Sequence, residues 1–205
     1  MTIQHRLPTL ETVCQARGRL AGLAVRTPLL SFPVLDARVG GRVLLKPEIF
    51  QRTGSFKFRG AYNRISEIQE QRPGTSIVTC SSGNHAQGVA AAAALHKVPA
   101  TIVMPADAPA IKLSRTERSG ATVVPYDRGT DDRDAIAAGL IAETGAILIH
   151  PYDNPYVIAG QGTAGLEIAE ALTARGLVAD AVVVPCGGGG LSAGVGLAMR
   201  DRFPD

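Results

Sequence analysis

Short β-branched segments alternate with longer amphipathic or alanine-rich segments along almost the whole chain, and this alternation dictates the fold class. The short segments predict strands at residues 42–46, 76–80, 100–104, 121–126, 146–150 and 181–185. The longer segments predict helices at residues 9–21, 57–69, 84–96, 109–118, 131–143, 155–174 and 191–201. Several strands are apolar on both faces, which is typical of a parallel sheet covered by helices. The pattern therefore predicts an α/β fold with right-handed crossover connections.

Capping residues support the predicted helix ends. Asn154 followed by Pro155 is a typical N-cap and first residue of a helix. Gly120 and Gly145 each lie between a predicted helix and a predicted strand, where a left-handed residue commonly ends the helix. These residues predict where three of the helices begin or end.

The composition argues against several classes of protein. The 205 residues are enough for one large domain or two small ones, and 45% are hydrophobic, as in an ordinary globular protein. The net charge of +3 is small and dispersed, which argues against nucleic-acid binding. The most apolar run, residues 89–95, is too short to cross a bilayer, and residues 1–11 lack the apolar core of a signal peptide. We therefore expect neither a nucleic-acid nor a membrane partner.

Three widely separated cysteines, Cys14, Cys80 and Cys186, favour a reducing environment. Their number is odd and no Cys-x-x-Cys pair is present, so neither a disulfide framework nor a zinc site is expected. Chains without a disulfide framework are typical of the cytosol. We therefore expect a cytoplasmic protein with no metal site in this part of the chain.

Three polar or glycine-rich turns lie where predicted helices begin: residues 53–57 (TGSFK), 81–85 (SSGNH) and 187–190 (GGGG). We refer to residues 81–85 as the serine turn and to residues 187–190 as the glycine turn; both directly follow predicted strands. In open α/β sheets the ligand site lies at the carboxyl ends of the strands. The three turns are therefore candidates for a functional site.

The glycine turn is a candidate phosphate site. Four glycines leave backbone N–H groups unobstructed, and the following helix presents the positive end of its dipole. No Lys-Ser/Thr pair follows, so the turn is not a Walker A loop. Gly188, Gly190 and Ala193 match a loose dinucleotide fingerprint, but the acidic residue expected roughly 20 residues later would lie beyond the last residue. A plain tight turn is the alternative.

The serine turn is a candidate carboxylate site. Ser81, Ser82 and Asn84 are residue types that cap helices, and capping is their simplest explanation. One cap does not require three polar side chains and a glycine, however, and hydroxyls together with free N–H groups bind carboxylates well. His85 taken alone is more often a structural histidine.

Lys57 lies between Phe56 and Phe58, two of only five phenylalanines in the chain. An amine among apolar groups loses hydration, which lowers its pKa and favours the neutral, nucleophilic form. Such a lysine can form a Schiff base with an aldehyde, and an adjacent aromatic ring can stack on a flat cofactor. The alternative is a surface lysine whose aliphatic stem lies on apolar surface.

A phosphate site, a nucleophilic lysine and a carboxylate site together indicate pyridoxal phosphate chemistry on an amino acid. Residues 45–63 (LKPEIFQRTGSFKFRGAYN), 81–90 (SSGNHAQGVA), 150–167 (HPYDNPYVIAGQGTAGLE) and 183–194 (VVPCGGGGLSAG) resemble the threonine dehydratase and serine racemase family of fold-type II pyridoxal phosphate enzymes. The similarity runs from about Arg26 to Met199, and the motifs occur in the family's order.

The resemblance implies a role for each candidate residue. Lys57 is the lysine that forms the Schiff base with pyridoxal 5′-phosphate, Phe56 packs on the pyridine ring, and Asn84 hydrogen-bonds the ring hydroxyl. The phosphate is held by the backbone of Gly187, Gly188, Gly189, Gly190 and Leu191. The loop that receives the substrate carboxylate contains Ser81, Ser82 and His85. Arg133 aligns with an arginine that racemases use for that carboxylate, and Tyr152 occupies a variable position that lines the cofactor pocket.

The resemblance also implies the architecture. The family has a two-lobed, parallel-sheet fold of the tryptophan synthase β type, in which residues 75–150 would form a small lobe. Residues 1–74 and 151–205 would form a large cofactor-binding lobe. Family members continue well beyond the position that matches Asp205, so we expect the large lobe to be incomplete and the chain to be truncated. The intact form is expected to be a homodimer that acts on a small amino-acid substrate.

The implied activity is that of a threonine or serine dehydratase, an ammonia-lyase that converts a β-hydroxy amino acid to a 2-oxo acid and ammonia. Ser82 keeps an alternative open. Many threonine dehydratases have alanine there, whereas racemases and hydroxyaspartate dehydratases have serine as the acid/base group on the opposite face of the cofactor. A serine racemase or hydroxyaspartate dehydratase is therefore the first alternative, and a non-catalytic fragment of such an enzyme is the second. A nicotinamide-binding module would leave Lys57 and the serine turn unexplained.

Overall fold

The structure, a computed structural model, describes residues 7–203. The helices are α1 (Leu10–Leu20), α2 (Pro33–Val39), α3 (Lys57–Gln71), α4 (Asn84–His96), α5 (Ala110–Arg118), α6 (Arg133–Thr144), α7 (Pro155–Thr173) and α8 (Gly190–Arg202). The strands are β1 (Leu30–Ser31), β2 (Leu44–Leu45), β3 (Ile77–Cys80), β4 (Ala100–Pro105), β5 (Thr122–Tyr126) and β6 (Ile147–Leu148). Two short 3₁₀ turns, Glu48–Phe50 and Arg52–Gly54, precede α3.

Four strands form a parallel sheet in the order β5–β4–β3–β6. Its register pairs Ile77 of β3 with Ala100 of β4 on one side and with Ile147 of β6 on the other. The helices α4, α5 and α6 connect successive strands of this sheet, which confirms the predicted α/β alternation. The strands β1 and β2 form a separate antiparallel pair.

The seven predicted helices are confirmed, with each end within two residues of its predicted position. The Asn154 side chain accepts hydrogen bonds from the N–H groups two and three residues later, and Pro155 is the first residue of α7. Gly120 and Gly145 have φ angles of +85° and +68°. The caps predicted from the sequence therefore form as expected.

The strands are less well predicted than the helices. Residues 181–185 have the β-branched composition of a strand but pair with no strand within residues 7–203. Val183 is 95% exposed. A strand needs a hydrogen-bonding neighbour as well as a favourable composition, because its backbone groups pair only between chains of a ladder. The strands predicted at residues 42–46 and 146–150 likewise shorten to β2 and β6, and the short elements β1 and α2 were not predicted.

One apolar core joins parts of the chain that the resemblance assigns to different lobes. Its largest cluster contains Phe58 and Ile65 of α3, Ile77 of β3, Ile102 of β4 and Val157 of α7. The helix α3 packs against both α4 and α7. The helix α3, which begins with Lys57, therefore packs against segments of both predicted lobes. The division into two lobes stays a prediction.

Direct backbone contact joins α7 to both α3 and α8. A Cβ atom on Gly160 would lie 2.5 Å from the carbonyl oxygen of Arg59, and one on Gly162 would lie 2.8 Å from that of Gly194. Neither position has room for a larger side chain, because such contacts are shorter than van der Waals separations. The helix α7 therefore fixes α3 relative to α8.

The structure also describes the cysteines, the apolar character of the helices and the arrangement of residues that could bind a metal. Cys14, Cys80 and Cys186 are free thiols. Within residues 7–203, no helix combines the length and the apolar character needed to cross a bilayer, and no group of three His, Cys, Asp or Glu side chains is arranged to hold a metal ion.

Candidate active site

Lys57 lies next to the serine turn because α3 and α4 are in direct contact. A Cβ atom on Gly88 would lie 3.1 Å from the carbonyl carbon of Lys57 and 3.1 Å from the backbone nitrogen of Phe58. Gly88 is one helical turn after Asn84, the first residue of α4. The N-terminal turn of α4 is therefore held against the residue that carries the amine.

The Lys57 amine is half-buried and bonded to a backbone carbonyl. Its Nζ donates a hydrogen bond of 2.6 Å to the carbonyl oxygen of Pro151, in the loop that joins β6 to α7. It lies 5.3 Å from the centre of the Phe56 ring. Burial lowers the pKa of Lys57. A neutral carbonyl positions the amine without stabilising its charge as strongly as a carboxylate would, so the nucleophilic form is easier to reach.

The two phenylalanines beside Lys57 have different environments. Phe56 is partly exposed and lies beside the amine, whereas Phe58 is fully buried in the core. The Phe58 ring is 5.7 Å from the ring of Tyr62, on the same helix. Of the two rings, only that of Phe56 is therefore available to a flat ligand, and Phe58 anchors the start of α3.

The glycine turn contacts the same loop through Tyr152. A Cβ atom on Gly188 would overlap the Tyr152 ring, and one on Gly190 would lie 2.6 Å from the Tyr152 carbonyl oxygen. Gly189 adopts a φ of +82° immediately before α8. Gly187 faces open space, with no atom of the described residues within 4 Å of the position of a Cβ. The turn thus rests on the loop that holds the amine, and the first N–H groups of α8 have no carbonyl partner within the helix.

The polar residues of the serine turn are not used as helix caps. The N-cap of α4 is Gly83, and no side chain of the described residues caps this end. The Ser81 hydroxyl accepts a hydrogen bond from the Gly83 N–H, whereas the half-buried Ser82 hydroxyl has no partner within residues 7–203. The Asn84 side chain is exposed. Capping, the simpler explanation, therefore does not account for Ser82 or Asn84.

His85 is buried and connects the serine turn to the end of β6. Its Nε2 is 3.1 Å from the carbonyl oxygen of Ile149. Because a carbonyl only accepts, Nε2 carries the hydrogen and donates a hydrogen bond to this oxygen. Its Nδ1 is buried without a partner among the described residues. Burial lowers the pKa of His85 to about 4, which keeps the ring neutral at neutral pH. The role predicted for His85 in the substrate loop stays a prediction.

A cavity of about 530 Å³ borders the loop after β6 and the end of β3. Its polar lining residues are Cys80, Arg133, Asp134, His150 and Tyr152. Arg133 is the first residue of α6, and its 57% exposed side chain lies 3.6 Å from the Asp134 carboxylate. The structure therefore brings Arg133 to a cavity shared with Tyr152, while Lys57 does not line that cavity.

A largely buried group of charges lies close to Lys57 in sequence and was not predicted. The Arg59 guanidinium is fully buried and donates to Glu48 at 2.8 Å and to Glu167 at 2.6 Å. Lys46 also pairs with Glu167. Burial acts to lower the pKa of Arg59, but the bonds to both carboxylates outweigh it and raise the pKa. Residue type alone gave no signal, because the neighbours of Arg59 on its helix face include the polar Asn63 and Ser66.

The sequence also did not mark Gly88 or Pro151 as residues of the site. Gly88 acts by having no side chain, and Pro151 acts through its backbone carbonyl.

Residues 20–205 match the family model described as pyridoxal-phosphate dependent enzyme. The chain belongs to this family. The match includes Lys57, the serine turn and the glycine turn, so the site described above lies entirely within the region that the family shares.

Similar proteins of known activity include ammonia-lyases and racemases. The L-threo-3-hydroxyaspartate ammonia-lyase of Pseudomonas sp is 49% identical over 200 residues, which cover 98% of this chain and 61% of that protein. The L-threonine ammonia-lyase of Thermotoga maritima is 45% identical over 96% of this chain and 48% of that protein. The chain therefore spans from about half to about three fifths of the length of these relatives.

The fold-type II architecture is confirmed by solved structures of the family. The structure of maize serine racemase has a TM-score of 0.91 at 39% identity, and the match covers 97% of this chain and 59% of that chain. The serine racemase of Dictyostelium discoideum has a TM-score of 0.89 at 37% identity, over 96% of this chain and 63% of that chain. A threonine deaminase from T.th. has a TM-score of 0.87 at 46% identity, over 96% of this chain and 62% of that chain.

The residues around the loop at 150–152 fit pyridoxal phosphate. A half-buried amine with a lowered pKa suits covalent attachment of an aldehyde. The N-terminus of α8, preceded by a glycine turn with one open side, suits the phosphate. Both contact this single loop, one through Pro151 and the other through Tyr152. The donor set therefore matches the two ends of the cofactor.

Proposed function

We propose that this chain carries the cofactor lysine and the phosphate site of a pyridoxal phosphate-dependent ammonia-lyase. The enzyme would convert a β-hydroxy amino acid, serine or threonine, to a 2-oxo acid and ammonia. The observation that carries this proposal is the position of the Lys57 amine. It is half-buried, bonded to a carbonyl rather than to a carboxylate, and connected through one loop to the glycine turn. The ammonia-lyase names of the similar proteins support the same reaction.

Each residue at the cofactor has a task in this reaction. Lys57 in its neutral form provides the amine that holds the cofactor and later accepts the Cα proton of the substrate. When bound, pyridoxal phosphate supplies the electron sink that stabilises the charge left on Cα. The backbone N–H groups of Gly187–Gly190 and Leu191 would hold the phosphate, Phe56 would pack on the ring, and Asn84 would hydrogen-bond the ring hydroxyl.

The serine turn would bind the substrate carboxylate. The half-buried hydroxyl of Ser82 is unpaired within the described residues, and Ser81 and the N-terminal N–H groups of α4 lie beside it. His85 would hold this turn on the sheet through its bond to Ile149. Arg133 would approach the carboxylate from the neighbouring cavity. Hydroxyls, N–H groups and a guanidinium are the donors that carboxylates prefer.

Racemisation is a second candidate function, and Ser82 is the observation that favours it. Removing a proton from one face of Cα and returning one to the other requires two acid/base groups on opposite sides of the cofactor. The free hydroxyl of Ser82 could be the second group, because Lys57 is tethered to one face. The serine racemase of Schizosaccharomyces pombe is 41% identical over 97% of this chain, which supports the same alternative. The similar hydroxyaspartate ammonia-lyase keeps 3-hydroxyaspartate as an alternative substrate.

We further propose that the intact protein is a cytoplasmic homodimer. The three free thiols are compatible with a reducing compartment. Large apolar side chains are exposed at Ile49, Phe50, Val178 and Val183, and surfaces of this kind are commonly covered by other polypeptide. Sedimentation equilibrium of the intact protein tests the dimer, and a monomer at all concentrations would contradict it.

Mapping the cofactor lysine tests the main proposal. The intact protein is incubated with pyridoxal phosphate, reduced with borohydride, digested and analysed by mass spectrometry. The chain has four lysines, Lys46, Lys57, Lys97 and Lys112, and the masses of the modified peptides distinguish them. We expect the adduct at Lys57. Modification mainly at another lysine, with Lys57 unmodified, would refute the proposal.

Product analysis separates the remaining functions. The intact protein is supplied with L-serine, L-threonine and L-threo-3-hydroxyaspartate. A 2-oxo acid and ammonia identify the lyase, and a D-amino acid identifies the racemase. An adduct at Lys57 with neither product would indicate a part that binds the cofactor without turnover.

A further inference from the structure

A fully buried glutamine lies between the helix that carries Lys57 and the glycine turn. Gln161 is in α7 and is 0% exposed. A Cβ atom on Gly60 of α3 would lie 3.1 Å from its Cγ, and one on Gly190 would lie 3.0 Å from its Oε1. The side chain therefore fills the space where α3, α7 and the start of α8 meet.

The amide of Gln161 has no hydrogen-bond partner at either end among the described residues. Buried amides are almost always paired, because an unpaired buried donor or acceptor is strongly unfavourable. The Ser192 hydroxyl, on the third residue of α8, is also buried and unpaired. In the part of the chain that the structure describes, these two are the only unpaired buried side-chain groups of α7 and α8, and both lie near the end of α8 that adjoins the glycine turn.

Thr163 shows how a buried polar side chain on the same helix is ordinarily satisfied. Its hydroxyl donates to the carbonyl oxygen of Gly160 at 2.6 Å and accepts from Arg59 at 3.1 Å. Gln161, two residues earlier, is just as buried but has neither kind of bond within residues 7–203. A general lack of partners along α7 therefore does not explain the unpaired amide.

We propose that Gln161 is a positioning residue for the phosphate site. Its amide pairs with the N-terminal turn of α8 when the glycine turn holds the cofactor phosphate. An anion orders the first N–H groups of a helix towards itself, and a neighbouring amide offers both a donor and an acceptor to the groups that reorient. Because Gln161 also packs on Gly60, it couples occupancy of the glycine turn to the helix that carries Lys57. The inference rests on the proposed function, because it takes pyridoxal phosphate as the source of the anion.

The experiment compares Gln161→Met with Thr163→Val in the intact protein. Methionine keeps a similar volume and removes the unpaired amide. Affinities for pyridoxal phosphate and for pyridoxal, which lacks the phosphate, are measured by absorbance titration. We expect Gln161→Met to weaken pyridoxal phosphate binding at least tenfold, about 1.4 kcal/mol, and to change pyridoxal binding less than about twofold. The melting temperature without cofactor should stay equal or rise, because replacing an unpaired buried polar group by an apolar one relieves its desolvation.

Thr163→Val is the matched control. It removes a satisfied buried hydroxyl from the same helix, so the melting temperature should fall. Any change in cofactor affinity should be the same for pyridoxal phosphate and pyridoxal. If Gln161→Met behaves like this control, Gln161 has only a packing role and the inference is overturned. If the unaltered protein binds pyridoxal phosphate no more tightly than pyridoxal, the proposed phosphate site itself fails, which is a separate result.

Two further measurements keep the inference testable if Gln161→Met does not fold. Gln161→Glu places a carboxylate beside the phosphate, so pyridoxal phosphate binding should weaken more than pyridoxal binding; equal losses would overturn the inference. In the unaltered protein labelled with ¹⁵N-glutamine, one buried side-chain amide should shift on addition of pyridoxal phosphate but not of pyridoxal. An unchanged glutamine amide spectrum would overturn the inference without any variant.

Discussion

We expect the unaltered protein to lose stability as the pH falls from about 6.5 to about 4, because His85 is buried as a neutral ring. The variant His85→Gln should not show this loss. The His85 ring is buried, its Nε2 donates to the Ile149 carbonyl, and its Nδ1 has no partner within the described residues. Protonation would place a charge on a buried nitrogen beside the positive groups of Lys57 and His150. Glutamine retains a donor near the position of Nε2 but cannot be protonated in this range.

The sign and size follow from the two pKa values. Between about pH 6.5 and 4 the unfolded chain takes up a proton at His85 that the folded chain does not, so acidification favours unfolding. A difference of about 2.5 between the folded and unfolded pKa values corresponds to about 3 kcal/mol, at roughly 1.4 kcal/mol per unit. Below about pH 4 both states are protonated and the contribution becomes constant.

The assay is the free energy of unfolding from urea titrations at several pH values, for the unaltered protein and for His85→Gln. Carboxylates also destabilise the protein in acid, but they do so equally in both proteins. Glu48 is an example, because burial raises its pKa but the bonds to Arg59 outweigh burial and lower the pKa. The difference between the two curves therefore isolates His85. If the difference in free energy of unfolding between the two proteins stays constant from about pH 7 to about pH 4, His85 is not held neutral in the folded protein and the reasoning is refuted. An NMR titration of the His85 ring protons should likewise give a midpoint of about 4.

Three further predictions concern the phosphate site, the charge cluster and the serine turn. Gly187→Asp should weaken pyridoxal phosphate binding at least tenfold, about 1.4 kcal/mol, while the neutral Gly187→Asn changes it little; equal effects would show that charge is not the cause. Arg59→Met should destabilise the protein by about 3–5 kcal/mol because it leaves the largely buried Glu48 carboxylate without a cationic partner among the described residues and Glu167 with only Lys46. The exposed Arg17→Met should cost less than about 1 kcal/mol, and similar losses in urea denaturation would contradict the cluster's importance. Ser82→Ala should abolish racemisation and D-substrate use while leaving L-deamination within about tenfold, roughly 1.4 kcal/mol of barrier; collapse of both activities would refute the division of roles.

The helices could be predicted because their signals are local. Capping residues, glycines at C-terminal ends and the apolar period placed all seven predicted helices within two residues. The segment at residues 181–185 shows the limit of this reasoning. Its composition is that of a buried strand, but pairing is a property of the neighbours, and within residues 7–203 no strand lies alongside it.

The sequence predicted those site residues whose role depends on the type of side chain. It did not predict those whose role depends on what they contact in the fold. The flanking phenylalanines marked Lys57 as unusual, but the sequence could not show that Phe56 faces the amine while Phe58 is in the core. Pro151 could not be predicted, because it contributes a backbone carbonyl oxygen, which every residue has. Gln161 could not be predicted either, because the sequence does not show that a single polar residue in a helix is buried; that depends on how the neighbouring helices pack.

The close contacts of α7 explain how a site built from distant segments can be rigid. Gly160 brings α7 against the backbone of α3 at Arg59, and Gly162 brings it against α8 at Gly194. Contacts between backbones leave no side-chain rotamers to adjust, so the separation of α3 and α8 is set more firmly than side-chain packing alone would set it. Lys57 and the glycine turn lie at the N-terminal ends of these two helices. The distance between the amine and the phosphate site is therefore determined by one helix, and a larger residue at Gly160 or Gly162 would change that distance without touching either group.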